Sequence, residues 1–401
     1  MFRKREFYCE QFATSYGRIM TPSMIRLRRA WFQIHKWIGI VLAILIIPLS
    51  LSGAALVWHD WLDEQINPQR YPKATSTLLA PTAYTGSVNK LLEPGERTAS
   101  ISFPDQNGSV QVTISKPSKG GGRPQRSWIW LDPRTADPID RAGTNEGPIR
   151  VLHSLHGSLM VPGTGRQIVG WIGVAMLLSS LTGIWLWWPL KGKVTRGFKW
   201  NRRPDFNSNL HHMGGFWISI PLAVLSLTGV WISFPAVFSQ FSAGPPAAGP
   251  GGPGATALPL MLPRQSVDQA AAAAQALASG RIANIVWPTD KKPEWTVTLK
   301  GKGAPAEIKV QDLDASAKAS PAKPEMLART MRRIHDGTRM PVVWQIIIFV
   351  GGILPAVLAV TGILMWLRMR RRRKMHRRGA AAFAEAEALA SERPSSWPPP
   401  N

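Results

Sequence analysis

The eight histidines carry the clearest chemistry in this 401-residue chain. Its single cysteine, Cys9, excludes an intramolecular disulfide framework, a Cys-ligated iron–sulfur cluster and a Cys-rich zinc site. Four histidines recur at fixed distances from Ser/Thr-Gly pairs. His35 lies 17 residues before Ser52-Gly53, and His211 lies 17 before Thr228-Gly229. His156 and His335 lie 26 residues before Thr182-Gly183 and Thr361-Gly362. Gly39 and Gly215 each follow their histidine by four places, and Gly173 and Gly352 each precede their threonine by nine. This pattern reads as one unit present twice, the copies offset by 176–179 residues. A duplicated unit packed about a pseudo-two-fold axis brings equivalent side chains together. His35 is then expected to face His211, and His156 to face His335. Each meeting supplies two imidazoles and no carboxylate, too few donors for a structural zinc ion, which takes about four protein ligands. Two imidazoles suit a six-coordinate haem iron, whose remaining ligands are porphyrin nitrogens.

Residues four apart share a helix face, so Gly39 and Gly215 would clear space for a flat macrocycle beside their histidines. The Ser/Thr-Gly pairs also suit simple close approach of helices. His153 shares a helix face with His156 and is an alternative to it, but Arg332 stands at the matching place in the second copy. His212 is the alternative to His211 and points about 100° away on a helix. His59 has Pro235 as its counterpart, and His376 lies in an arginine-rich tail.

Four apolar blocks must position these residues: 31–58, 168–190, 214–238 and 342–367. Each is about 20 residues or longer and nearly free of charge, enough to span roughly 30 Å of hydrocarbon as helix. The expected fold class is therefore an α-helical integral membrane protein with four transmembrane helices in a two-fold internal repeat. The first block is longer than a secretory signal core and lacks a convincing cleavage site, so it reads as an uncleaved anchor. Many of the 18 Trp residues, such as Trp31, Trp58, Trp187 and Trp366, cluster at block ends as an interfacial belt.

With 48 Lys+Arg against 24 Asp+Glu, the surplus of positive charge first suggests nucleic acid. Its placement argues otherwise. Seven basic residues fall in 1–30, six in 191–203, and a run of them follows the fourth block from Arg368. Four crossings put all three segments on one side, which the positive-inside rule makes cytoplasmic. The segments 1–30, 191–213 and 368–401 are thus expected to be cytoplasmic and to meet lipid headgroups, with no nucleic-acid partner. The long connections 59–167 and 239–341 then lie outside. Thr82–Leu92 and Ser266–Ala278 read as helices. Ala99–Phe103, Ser109–Ser115, Ser127–Leu131, Ile282–Trp287, Trp295–Leu299 and Ala306–Val310 read as strands. Each region is expected to be a small α+β unit of one helix and about three strands, the second preceded by the Pro/Gly-rich linker Ala243–Pro259.

His35-x-x-x-Gly39, Ser52-Gly53, Leu131-Asp132-Pro133, Leu210-His211-His212, Gly215-Phe216-Trp217, Thr228-Gly229 and Thr361-Gly362 resemble the PepSY-associated transmembrane family over about residues 25–375. Within it, four helices and two external PepSY-like regions look like the siderophore reductases of the FoxB type and related iron-regulated inner-membrane proteins. The resemblance implies a multi-pass protein of the bacterial inner membrane with both termini cytoplasmic. It implies two b-type haems on His35, His211, His156 and His335, and reduction of a ferric siderophore in the periplasm by electrons from a cytoplasmic or quinol donor. Two other readings compete. One is a membrane-anchored PepSY binding or regulatory protein acting by peptidase inhibition, which leaves the paired histidines without a role. The other is a siderophore permease, which would want more polarity at mid-bilayer than Ser/Thr and Pro48, Pro221 and Pro355 provide.

Overall fold

The computed structural model describes residues 22–391 apart from 74–77, 106, 119–121, 190–193, 201–204, 239–240, 242–255, 302–305 and 321–326. Most of the linker Ala243–Pro259 and of the basic N-terminal segment lies outside the described residues. In chain order the helices are α1 (Pro22–Val57), α2 (His59–Ile66), α3 (Pro81–Asn89), α4 (Pro148–Ser158), α5 (Gly165–Trp187), α6 (Phe206–Ser233), α7 (Pro235–Phe238), α8 (Val267–Leu277), α9 (Leu327–Asp336) and α10 (Val342–Ser391). The strands are β1 (Arg97–Ser102), β2 (Val110–Lys116), β3 (Gln125–Leu131), β4 (Pro138–Gly143), β5 (Arg281–Val286), β6 (Glu294–Lys300), β7 (Ala306–Gln311) and β8 (Ala317–Ala319). They form two compact units. Among the described residues, one holds 22–57, Leu155–Ser233 and 332–391; the other holds those of Trp58–Ser154 and Phe234–Met331.

The first unit is helical. Among the described residues, α1, α5, α6 and α10 are the helices long and apolar enough to cross a membrane. Exposed Val41, Ile44, Trp171, Ile220 and Val343 give their outer faces an apolar surface, as lipid contact requires. Helix α1 packs against α5 and α10, and α6 packs against the same two helices, so the four close a ring. Glycines set the closest approaches. A Cβ on Gly352 would come within 2.8 Å of the Ser50 carbonyl oxygen, and one on Gly173 within 3.0 Å of a Val230 methyl. The helices overrun the apolar blocks. Helix α6 begins at Phe206, so the loop expected over 191–213 ends early and His211 and His212 are helical. Helix α10 runs through the basic segment to Ser391, where Arg, Lys, Ala and Glu are all good helix formers.

The second unit joins the two expected α+β regions through one sheet. Its eight antiparallel strands form one sheet in the order β4-β3-β2-β1-β5-β6-β7-β8. The seam is β1 against β5, with Ser100 opposite Val286, Ile101 opposite Ile285 and Ser102 opposite Asn284. Joining the halves pairs two strands that would otherwise be bare edges. Each half also supplies a fourth strand, β4 or β8, beyond the three expected. Alternating residues of β2 and β6 point inward, and α3 and α8 cover that face with Tyr84, Val88, Ala270 and Ala274. Ser266 and Gln269 form a capping box that starts α8. The Thr82 backbone N–H donates to Asp268 Oδ1 at 3.0 Å, tying α3 to α8. Ile101 and Ile285 are fully buried at the seam. Ile101→Ala or Ile285→Ala is expected to cost about 2–5 kcal/mol, measurable as a loss in denaturant stability; a change within error would remove the seam from the core.

Candidate cofactor site: paired histidines

Helices on opposite sides of the ring carry the first pair. His35 on α1 and His211 on α6 approach with ring centroids 6.3 Å apart and planes at 86°. His156 on α4 and His335 on α9 approach to 6.0 Å with planes at 37°. His156 contacts the Leu49 carbonyl of α1, 14 residues beyond His35, so the pairs are separated by about 21 Å along that helix at 1.5 Å per residue. Two imidazoles bound trans to one metal, with metal–nitrogen bonds of about 2.0–2.1 Å, hold their centroids about 6.3 Å apart. Both separations therefore leave room for one metal ion between the rings.

Hydrogen bonds decide which ring nitrogen carries the proton. His156 Nδ1 lies 2.8 Å from the Leu49 carbonyl oxygen and His335 Nδ1 3.0 Å from that of Leu225. A carbonyl only accepts, so both Nδ1 atoms carry the proton and donate it. His35 Nδ1 lies 3.0 Å from Thr182 Oγ1, and His211 Nδ1 3.0 Å from Thr361 Oγ1. Those hydroxyls already donate to helix carbonyls, Thr182 to Leu178 at 2.8 Å and Thr361 to Val357 at 3.0 Å. They accept from Nδ1–H as well. All four histidines thus hold a lone pair on Nε2, the form a metal binds, with the tautomer set by the partner of the other nitrogen.

The glycine of each Ser/Thr-Gly pair seats an imidazole. A Cβ on Gly53 would lie 2.6 Å from His156 Cε1, one on Gly229 3.1 Å from His335 Cε1, and those on Gly183 and Gly362 3.5 Å from Cε1 of His35 and His211. The alternative of close helix approach describes Gly173 and Gly352 instead. A profile of the PepSY-associated TM region matches residues 32–369. The chain belongs to that family. Comparison with curated proteins gives no match.

In this PepSY-associated TM protein a cavity of about 890 Å³ surrounds the first pair, within the range of about 300–1,000 Å³ usual for ligand sites. Gly39 and Gly215 line it, and a Cβ on either would meet nothing within 4 Å. His212 lines the same cavity, but His211 is the residue opposite His35. Phe216 stacks on Trp187 at 3.9 Å and forms part of the wall. Arg28, at the basic mouth, donates to the carbonyls of Leu186 (2.5 Å) and of Trp188 (3.1 Å), the residue that caps the C-terminus of α5, a favourable place for a cation. His153 does not join His156 and His335; its ring lies 6.0 Å from that of His59. Among the described residues, no group of three or more His, Cys, Asp or Glu is placed to hold a metal by itself. Sequence reasoning missed the partners of Nδ1, Thr182 and Thr361 and the carbonyls of Leu49 and Leu225; the Ser/Thr-Gly pairs that aligned the halves were the signal for them.

Burial holds His156 and His335, both outside the spanning helices, below the ordinary imidazole value of 6.5. His335 is pushed down to about 4, first by burial and then by the neighbouring charge of His156. Above pH 6.5 both states are neutral and this contribution to stability is complete. As pH falls from 6.5 towards 4, the unfolded chain takes up protons that the folded pair refuses, and stability drops. The metal-free protein should melt at a lower temperature at pH 5 than at pH 7, with a smaller difference in His335→Gln; equal differences in the two proteins would contradict the buried neutral pair.

Proposed function

We propose that this protein is a haem-containing reductase of the bacterial inner membrane that passes electrons to a ferric siderophore in the periplasm. The observation that carries the reading is the pair of facing imidazole couples, each with its Nε2 lone pairs free of the bonds that fix Nδ1. His35 and His211 would hold one haem b, and His156 and His335 a second. When bound, haem supplies a one-electron Fe(III)/Fe(II) couple that a cytoplasmic or quinol donor reduces and a ferric chelate oxidises. Siderophores hold Fe(III) through hard oxygen donors that retain Fe(II) poorly, so one electron frees the ion.

The chain's own residues prepare these sites. Thr182, Thr361 and the carbonyls of Leu49 and Leu225 aim the rings and strengthen them as donors. Gly39 and Gly215 leave open space beside the first pair, where a Cβ would meet nothing within 4 Å. Apolar side chains such as Ile40, Leu222 and Leu358 line that space.

The basic segments favour cytoplasmic termini, as the positive-inside rule requires. Matching backbone features favour the internal duplication. Ala136 and Ala315 adopt left-handed φ of 61° and 58°, and Met160 and Arg339 of 59° and 58°; the members of each pair are 179 residues apart. Leu49 and Leu225 play equivalent parts at an offset of 176.

A reduced-minus-oxidised spectrum with haem quantification tests the reading. His35→Ala, His211→Ala, His156→Ala and His335→Ala should each remove about half of the haem, while His212→Ala and His376→Ala leave it unchanged. Gly53→Ala should displace His156 and lower the haem content more than Gly39→Ala lowers it. Addition of a ferric siderophore without oxygen should reoxidise the reduced protein. A colourless, folded protein from haem-supplied cells would overturn the reading in favour of a binding or permease role.

A further inference from the structure

We propose that His59 and His153 form a site for a divalent transition-metal ion, and that the ion it receives is Fe(II) freed by reduction. The assignment of Fe(II) rests on the function proposed above; the metal site stands on its own geometry. Their ring centroids lie 6.0 Å apart with planes at 66°, a separation shared with the two couples already described. This spacing admits one ion with metal–nitrogen bonds of about 2.0–2.1 Å. The Asp60 carboxylate lies 3.1 Å from His59 Nε2. A carboxylate holding one ring nitrogen orients the imidazole and strengthens the other nitrogen as a metal donor.

Two features separate this couple from the others. The residues at the matching offsets are Pro235 and Arg332, so no second copy exists in the other half of the chain. The duplicated pattern therefore does not account for the two histidines, yet they meet. The His59 side chain is 43% exposed and Asp60 is 93% exposed, whereas His156 and His335 are half-buried. An open couple suits an ion that arrives from water and leaves again, with water in its remaining positions. Imidazole favours Fe(II), Zn(II) and Cu(II), whereas Fe(III) prefers the oxygen donors of its chelator. The site would take the product and leave the substrate.

The test uses full-length, haem-loaded protein in detergent, titrated calorimetrically with Zn(II) and, without oxygen, with Fe(II). One ion per chain should bind, and His59→Ala, His153→Ala and the milder His59→Gln should each weaken it at least tenfold. The haem spectrum should not change, and His376→Ala should bind like the parent. Quenching of tryptophan emission by Co(II), reported by the adjacent Trp58 and Trp61, should weaken in the same variants. Zn(II) and Fe(II) binding indifferent to these substitutions overturns the site while leaving reduction standing. A colourless protein that still binds Zn(II) through both histidines does the reverse. Binding of Zn(II) but not of Fe(II) overturns the choice of iron.

Discussion

Everything at the paired sites depends on the hydrogen bonds that the four Nδ1 atoms make. Each Nδ1–H is directed into an oxygen whose position a helix determines: a carbonyl at Leu49 or Leu225, or a threonine hydroxyl already committed to its own helix at Thr182 or Thr361. A buried donor without a partner costs about 1–3 kcal/mol, so each ring is held in one tautomer and one orientation. The same bonds leave the opposite nitrogen as a lone pair. Under the proposed function, a metal ion between the two rings of each couple, whose centroids lie 6.3 and 6.0 Å apart, would take up those lone pairs.

That constraint explains why small residues recur where they do. A Cβ on Gly53 would press on the ring that reaches Leu49, and one on Gly229 would crowd, less severely, the ring that reaches Leu225. Pro48 and Pro221 precede these carbonyls by one and four residues, and both lie inside helices that remain continuous. The sheet unit is built on a different logic. Its halves complete one another by sharing an edge, and its core is formed by alternation under two short helices.

Much of this was legible in the chain. Apolar length marked the four spanning helices, and the 17- and 26-residue spacings identified which histidines meet. The parts that escaped have physical reasons. Strand β4 (Pro138–Gly143) carries Asp140 and Arg141 and has little apolar alternation, as befits an edge, and β8 has three residues. Helix α9 is rich in arginine and buries none of its residues completely, so it read as connection. The β1–β5 pairing joins residues about 185 apart, and nothing local announces it. The meeting of His59 with His153 was equally hidden, because neither residue shares the 17- and 26-residue spacings that marked the other couples.

The most direct test of the paired-imidazole account is low-temperature electron paramagnetic resonance of the oxidised protein. Two low-spin ferric haem signals of unequal shape are expected. The near-perpendicular rings of His35 and His211, at 86°, should give a highly anisotropic signal; the rings of His156 and His335, at 37°, should give a rhombic one. High-spin iron alone, or no ferric haem signal from folded protein made in haem-supplied cells, would contradict it.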